Sequence, residues 1–181
     1  MKQKLTVSAS PRWREARIEM DFEGGIISRI SKDWALIAAG NGGDYNAMTA
    51  SWGALGYLWE KPIAICFVRP QRFTRSFTDT NALFSLTFFG RDLRAKTHKV
   101  FGGESGRDTD KAQKAGITPI VFEEGAIGFE EAIETIVCRK IYFDDFNSAN
   151  FLDPAIEKLY PQNDYHRFYI GEIVKFYKKR G

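Results

Sequence analysis

The chain has 181 residues, 44% hydrophobic and 27% charged, a composition that predicts one globular domain over residues 1–181. The net charge of +3, mixed in sign along the chain, argues against a nucleic-acid partner. No apolar stretch reaches the length that spans a membrane, so a cytoplasmic protein without membrane contact is expected.

Strand-like segments dominate the pattern in chain order. Short strands are predicted at residues 17–20 and 26–30, and an apolar run at 34–39 ends in a glycine-rich turn. The polar segment 46–52 is also strand-like, whereas the glycine-containing segment 53–57 is predicted to form turns. Further strands are predicted at residues 63–68, 83–89, 129–142 and 169–177.

Three short helices are predicted between the strands, the first at residues 73–81. The second, at 108–115, begins with acidic residues, carries lysines later and is followed by Gly116, as is typical of helix ends. In the third, Asp153 and Pro154 supply the N-cap and first residue of a helix that reaches about residue 160. Many strands with few short helices predict a mainly β fold, a β-barrel with short helical insertions.

The segment 46–52 is an unusual strand because neither of its alternating faces is uniformly apolar. Its backbone N–H and C=O groups are suited to the polar edge of a heterocycle, and Met48 or Trp52 to its flat face. An ordinary edge strand is the alternative. The candidate binding residues in this segment are Asn46, Ala47, Met48, Thr49, Ala50, Ser51 and Trp52.

Two arginines follow the buried run 63–68, at a position where loops carry functional side chains. Arg69 and Arg72 flank the rigid Pro70 and precede the hydroxyl of Thr74. Guanidinium groups bind phosphate through paired hydrogen bonds, so this spacing predicts a phosphate clamp. Two solvated arginines are the alternative.

Ser105 and Gly106 precede the helix predicted at 108–115. Glycine allows close approach of the backbone to a ligand, and amides at a helix N-terminus attract anions. Lys111 lies one turn into that helix and is a candidate for the same anion. A simple capping turn and a surface lysine are the alternatives.

The chain has two histidines. His98 lies in a charged stretch and is expected to be solvated. His166 lies among polar and aromatic residues and is the candidate catalytic residue, since its charge is able to change near neutral pH. It would position a nicotinamide or exchange protons with a reduced cofactor; an ordinary loop histidine is the alternative.

Several common catalytic patterns are missing from the sequence. No Ser/His/Asp order, Cys/His pair, metal-ligand cluster, Walker loop or Gly-x-Gly-x-x-Gly motif is present. Cys66 and Cys138 lie far apart in apolar runs, which favours buried, inert thiols. These absences argue against a hydrolase but not against an enzyme whose cofactor carries the chemistry.

Taken in order, these segments resemble the flavin reductase-like family, the FMN-binding split-barrel proteins, and especially its flavoredoxin branch. The resemblance covers about residues 30–175. Related chains often carry a cysteine before the Ser-Gly-Arg-Asp motif, whereas residues 99–104 have none, so no redox thiol is expected there. The resemblance rests on residues 46–53, 61–62, 68–74, 84–89, 105–111, 129–132, 137–140 and 164–173.

The resemblance implies a six-stranded Greek-key split barrel that forms a homodimer with FMN near the subunit interface. The backbone of residues 46–52 would meet the isoalloxazine ring, and no metal is implied. The phosphate side would be bound by Arg69, Arg72 and Thr74, helped by Ser105, Gly106 and Lys111. Gln71 and Phe73 complete the implied cofactor-binding residues.

The function that follows from the resemblance is an FMN-dependent oxidoreductase of the NAD(P)H:flavin reductase type. It would pass electrons to free flavin, to another acceptor or to a redox partner protein. Two alternatives stay open at this point: a flavoredoxin-type electron carrier that does not oxidise NAD(P)H, and a non-catalytic module for flavin or another ligand such as haem.

Overall fold

The computed structural model describes residues 12–17 and 25–180. The strand expected at 17–20 lies outside the described residues apart from Arg17. Ten strands are described: β1 Trp13–Glu15, β2 Ala35–Gly40, β3 Tyr45–Ala50, β4 Gly53–Leu58, β5 Lys61–Val68, β6 Leu83–Phe88, β7 Pro119–Val121, β8 Ile127–Phe129, β9 Glu134–Asp145 and β10 Arg167–Lys179. Five α-helices are described: α1 Ile26–Ser28, α2 Thr74–Thr80, α3 Arg91–Gly103, α4 Lys111–Ala115 and α5 Pro154–Glu157.

Eight of the strands form one antiparallel sheet, in the order β3-β2-β6-β9-β10-β5-β4, with β1 added beside β10. Strands β7 and β8 form a separate hairpin. The sheet has more strands than the expected six, and one of the additional strands, β1, pairs with the far end of β10, which is 13 residues long. Residues 167–172 pair with β5, whereas residues 177–179 pair with β1.

The sheet buries both of its faces. All six residues of β2 are buried, and their alternation divides them between two apolar clusters. Ile37 packs inside the curved sheet with Phe84, whereas Leu36 packs on the outer face with Phe101 of α3 and Phe129 of β8. The mainly β fold with helical insertions is therefore confirmed. Helices α3 and α4 cover the outer face, whereas Phe77 of α2 packs in the inner cluster.

Gly116 and Asp153 lie at helix ends as predicted, whereas α4 begins at Lys111 rather than at residue 108, and α5 ends at Glu157 rather than near residue 160. Asp110 accepts a hydrogen bond from the Gln113 N–H at 3.1 Å, and Gly116 ends α4 with φ of 72°. Asp153 caps α5 by accepting from the Ala155 N–H at 2.9 Å. Among the described residues, no helix is both long and apolar enough to cross a membrane.

The strand expected at residues 26–30 is wrong, because this segment is helical. It contains α1 and the π-helical turn Arg29–Asp33, and the Arg29 N–H donates to the Gly25 carbonyl at 3.0 Å. Ile26 and Ile27 are exposed, so the β-branched residues find no neighbouring strand that would favour an extended backbone.

The turns expected at residues 53–57 are also wrong, since these residues form most of β4. Gly53 and Gly56 pair with Cys66 and Ile63 of β5, and the long strand β5 imposes the extended conformation on them. Helix α3 was not predicted, because its buried face includes polar residues. That face consists of Thr97, His98, Val100 and Phe101.

Candidate functional site

The curved sheet is open at one place, between its two end strands. β3 pairs only with β2, and β4 pairs only with β5, among the described residues. The chain nevertheless passes directly from β3 to β4 through Ser51 and Trp52. The outer edge of β3 therefore carries backbone N–H and C=O groups without a strand partner, as the sequence of residues 46–52 led us to expect.

A groove of about 450 Å³ runs along this open end of the sheet. It lies between the end of β3, the loop after β5 and the start of β10. Trp52 is 42% exposed at its rim, whereas Met48 is buried against the inner cluster. The groove is lined by Met48, Thr49, Ala50, Ser51, Trp52, Phe67, Arg69, Gln71, Arg72 and His166.

A smaller side pocket of about 190 Å³ adjoins the groove, with which it shares Met48, Gln71 and Arg72. Its walls combine side chains from β3, the start of α2 and the segment between α3 and α4. Its other lining residues are Asn46, Phe73, Thr74, Phe101, Gly103, Glu104, Ser105, Gly106, Arg107 and Lys111. The structure thus brings most of the predicted site residues to two adjoining cavities.

Arg72 lies at the junction of the groove and the side pocket. Its Nη1 donates to the Gly102 carbonyl at 2.8 Å, at the C-terminal end of α3. Burial, and then the neighbouring Arg69 guanidinium, lower the pKa of Arg72 from its ordinary value. The two positive charges repel each other, so a bound anion would stabilise the charged form of both arginines.

Arg69 is held differently, by the loop that precedes β10. Its Nη1 lies 2.5 Å from Asp164 Oδ2, and its Nη2 donates to the Leu159 carbonyl at 2.9 Å. Gln71 Nε2 donates to the same Asp164 oxygen at 2.6 Å. The two arginines of the predicted phosphate clamp therefore have different positions. Arg72 lines both cavities, whereas Arg69 lines only the groove and anchors the loop.

The backbone at Gly106 lies directly against the side chain of Asn46. A Cβ atom at position 106 would collide with Asn46 Oδ1, so glycine is required for this close approach. Asn46 is buried, and its Nδ2 donates to Thr74 Oγ1 at 2.8 Å. The predicted residues Asn46, Thr74 and Gly106 are thus fixed to one another at the side pocket.

The side pocket is rich in positive charge. The buried Lys111 ammonium donates to the Ala47 carbonyl and lies 5.2 Å from the centre of the Phe101 ring. Arg107 stacks over the Phe73 ring at 4.4 Å. The acidic side chain in the wall, Glu104, is paired with Lys114 at 2.5 Å, which offsets its charge.

His166 lies directly before β10, lines the groove and is 7% exposed. Its ring centre lies 5.0 Å from that of Trp52, and its Nδ1 lies 2.9 Å from the Tyr160 hydroxyl. Burial, followed by the charge of Arg69, lowers the pKa of His166 to about 4. The expected change of charge near neutral pH is therefore wrong, because the imidazole is already neutral there.

His98 is buried, so the expectation of a solvated side chain is wrong as well. Helix α3 carries it inward against β3, where Thr49 Oγ1 donates to the His98 carbonyl at 3.1 Å and lies 3.2 Å from Nδ1. The two cysteines are buried as predicted, and burial raises the pKa of both thiols.

Six residues of the site were not among the predicted ones: Phe67, Phe101, Gly103, Glu104, Arg107 and Tyr160. Phe67 lines the groove from a strand that reads as uniformly buried, so no pattern distinguishes it. Arg107 belongs to the Ser-Gly-Arg-Asp motif, so its place in that motif is a signal that would have identified it. Phe101 and Tyr160 reach the site only through tertiary packing, which no sequence spacing indicates.

An apolar recess of about 520 Å³ adjoins the groove, with which it shares Ser51, Trp52 and Phe67. Its outer wall comes from α1, where Ile27 is 82% exposed. The remaining lining residues are Ile26, Ile30, Ser31, Gly53, Ala54, Leu55 and Phe146.

No protein-family model matches the sequence, and no curated protein sequence matches it. Solved structures do match. A flavoredoxin from Methanosarcina acetivorans superposes with a TM-score of 0.64 at 21% identity, covering 82% of this chain and 69% of that one. An FMN-binding protein from Thermus thermophilus gives 0.66 at 19% identity, covering 93% and 83%.

An NADH:FAD oxidoreductase from Streptomyces globisporus also superposes, with a TM-score of 0.60 at 14% identity, covering 80% of this chain and 74% of that one. The shared feature is the arrangement of the sheet, since the identities are low. The chain therefore has the fold of the flavin reductase-like, FMN-binding split-barrel proteins, as the resemblance of its motifs implies.

Proposed function

We propose that the protein binds FMN in the groove and the adjoining side pocket. The observation that carries this proposal is the edge of β3 that no other strand pairs with among the described residues, which runs along the groove and ends at a pocket lined by three cationic side chains. A planar heterocycle with a phosphate tail needs this combination of exposed amides and distant positive charge. Flavoredoxins and an FMN-binding protein among the similar structures support the choice of FMN.

The isoalloxazine ring would lie in the groove, where the backbone of residues 48–51 faces its polar edge. Met48 and Trp52 supply apolar surface, and His166 also lines the groove. The phosphate would occupy the side pocket, bound by Arg72 and Lys111 together with the hydroxyl groups of Thr74 and Ser105. In this arrangement Arg69 contributes charge to the groove but binds the loop rather than the phosphate.

We further propose that the protein is an NAD(P)H-dependent oxidoreductase. When bound, FMN supplies the two-electron chemistry, while the protein supplies binding and orientation. The sequence has no dinucleotide-binding glycine motif, so a nicotinamide would have to stack in the open groove beside Trp52. The NADH:FAD oxidoreductase and a flavin reductase described as putative, both with this fold, support this assignment.

An electron carrier is the second candidate, supported by the flavoredoxins from two organisms among the similar structures. A carrier would receive electrons from a partner protein rather than from NAD(P)H. Free flavin or a redox partner protein would be the acceptor in either case.

A cytoplasmic homodimer is the proposed form of the protein. The apolar recess supports it, because Ile27 and Trp52 expose apolar surface directly beside the groove. Analytical ultracentrifugation at micromolar concentration should give twice the monomer mass of 20.6 kDa. A single monomeric species across the concentration range would contradict the dimer.

Binding of FMN is tested by titrating the purified protein with FMN and with riboflavin and following flavin fluorescence. FMN should bind at least tenfold more tightly than riboflavin, because riboflavin lacks the phosphate that the side pocket would hold. Absence of binding by either flavin would overturn the proposal. Equal affinities would remove the phosphate from the side pocket.

The choice between enzyme and carrier is tested by anaerobic mixing of the FMN-loaded protein with NADH and, separately, with NADPH. Prompt bleaching of the flavin absorbance is expected for the enzyme. No bleaching by either nucleotide, combined with reduction by dithionite, would assign the protein as a carrier.

A further inference from the structure

The Tyr160–His166 pair is a buried hydrogen bond whose direction is fixed by its surroundings. Tyr160 is 3% exposed, and its hydroxyl contacts His166 Nδ1 at 2.9 Å. No other described residue accepts a hydrogen bond from this hydroxyl. A buried O–H group requires an acceptor, so Tyr160 donates and Nδ1 accepts.

The direction of this bond determines where the imidazole carries its proton. A neutral histidine has one N–H, and a nitrogen that accepts a hydrogen bond is the unprotonated one. The proton of His166 therefore lies on Nε2. Among the described residues nothing bonds to Nε2, and the ring forms part of the groove wall.

We infer that Tyr160 is a positioning residue that keeps the proton of His166 on Nε2, so that the imidazole offers an N–H donor to a carbonyl oxygen bound in the groove. The ligand part of this inference rests on the proposed function. The isoalloxazine ring and the nicotinamide carboxamide both carry such an oxygen.

The position of Tyr160 is itself held by the loop that anchors Arg69. The Arg69 guanidinium lies 5.0 Å from the centre of the Tyr160 ring, and Tyr160 stacks on Phe151 at 6.0 Å with the ring planes 7° apart. The phenol thus has little freedom to turn its hydroxyl away from His166. Arg69, which is paired with Asp164, therefore helps to hold Tyr160, and Tyr160 in turn keeps the proton of His166 on Nε2.

The proton position is tested by nitrogen NMR of protein labelled at its two histidines, without any ligand. Wild-type His166 should show the proton on Nε2 and an Nδ1 resonance shifted by an accepted hydrogen bond. In Tyr160→Phe the Nδ1 resonance should move, while the signals of His98 stay in place and report an intact fold. A proton on Nδ1 in the wild type, or an unmoved Nδ1 in the variant, would overturn the inference.

Tyr165→Phe is the matched control, because Tyr165 belongs to the same aromatic cluster and its hydroxyl donates to Asn163 Oδ1 at 3.2 Å instead. Its His166 signals should equal those of the wild type. If Tyr160→Phe fails to fold, the wild-type spectrum still tests the inference, because a proton on Nδ1 would overturn it.

The ligand contact is tested by adding FMN to the labelled protein, and then oxidised NAD. A shift of the Nε2–H signal with FMN alone assigns the acceptor to the flavin, and a shift only after NAD assigns it to the nicotinamide. No shift in either case, although fluorescence shows that FMN is bound, would overturn the ligand contact. Failure of FMN to bind would overturn the proposed function and its ligand contact, but not the Tyr160–His166 hydrogen bond.

Discussion

Arg72 connects the two cavities, because it faces the groove and the side pocket and is tethered to the end of α3. Removal of its guanidinium in Arg72→Ala should weaken FMN binding by roughly 1.5–3 kcal/mol, the range for a charge-assisted hydrogen bond. Fluorescence titration of FMN measures this loss.

Arg75→Ala is the matched control for this prediction. Arg75 lies one turn further along, and its guanidinium pairs with Asp79 and Asp145 outside both cavities. Its FMN affinity should equal that of the wild type. If Arg72→Ala is folded by circular dichroism and binds FMN as tightly as the wild type does, Arg72 is not part of the proposed phosphate site.

Gly106 is the position where the smallest substitution should have a large effect on binding. The added methyl group of Gly106→Ala collides with Asn46 Oδ1, so Asn46 must move and its hydrogen bond to Thr74 is lost. We expect FMN affinity to fall by about 1–2 kcal/mol, since one hydrogen bond and the shape of the pocket change together.

The control for this substitution is Gly56→Ala, because a methyl group at Gly56 would meet open space. Titration of both variants with FMN compares them directly. An unchanged affinity for Gly106→Ala would mean that the contact between the segment at Gly106 and Asn46 does not shape the ligand site.

Helix α3 packs on the sheet through its buried residues, and Thr49 supplies a hydrogen bond to it from near the end of β3. Thr49→Val keeps the shape of the side chain but removes the hydroxyl that donates to the His98 carbonyl. The free energy of unfolding should fall by about 1 kcal/mol, the usual contribution of such a bond. Urea unfolding followed by circular dichroism measures the change.

Thr80→Val serves for comparison, because the Thr80 hydroxyl is exposed and bonds only to neighbouring groups of its own turn and to Asn81. It should change the free energy of unfolding by less than about 0.5 kcal/mol. Equal effects of the two substitutions would show that Thr49 does not secure α3.

At the level of elements, the sequence predicted the buried strands well and missed helix α3 for a physical reason. The run at residues 63–68 is apolar throughout, and the run at 83–89 is apolar except for Ser85 and Thr87. Both faces of β5 and β6 are largely buried, and such runs indicate strands directly. Helix α3 buries His98 and Thr97 beside its apolar residues, so its inward face does not read as apolar.

The site was predicted in its parts rather than in its arrangement. Local motifs indicated Arg72, Ser105 and Lys111, and the structure places all three at the side pocket. The attachment of Arg69 to Asp164 and the contact of Tyr160 with His166 depend on how the loop before β10 folds back. No local pattern contains that information, because the partners of Arg69 are about 90 residues away along the chain.

The stability of the whole molecule should depend on pH through its two histidines. Burial lowers the pKa of His98 and of His166 to about 4, below the value of about 6.5 in an unfolded chain. The stabilisation is therefore complete above pH 6.5 and is lost as the pH falls towards 4, because the unfolded state takes up the protons first.

Urea unfolding of the ligand-free protein should show a free energy of unfolding about 2–3 kcal/mol lower at pH 5.5 than at pH 7.5, since each histidine contributes roughly half of the difference. Carboxylates contribute little in this interval, since they titrate at lower pH. The double variant His98→Gln/His166→Gln should show no such difference. A difference of the same size in the double variant would assign the pH dependence to other groups.

The last residues of β3, Thr49 and Ala50, are only half-buried and lie on an edge without a strand partner among the described residues, which has a further consequence for handling the protein. Exposed strand edges are templates on which other chains stack, and they promote aggregation. In the proposed binding mode the flavin covers this edge, so material purified from riboflavin-starved cells should precipitate sooner on storage than vitamin-replete material. Bound FMN would then limit aggregation of the protein in addition to its redox role.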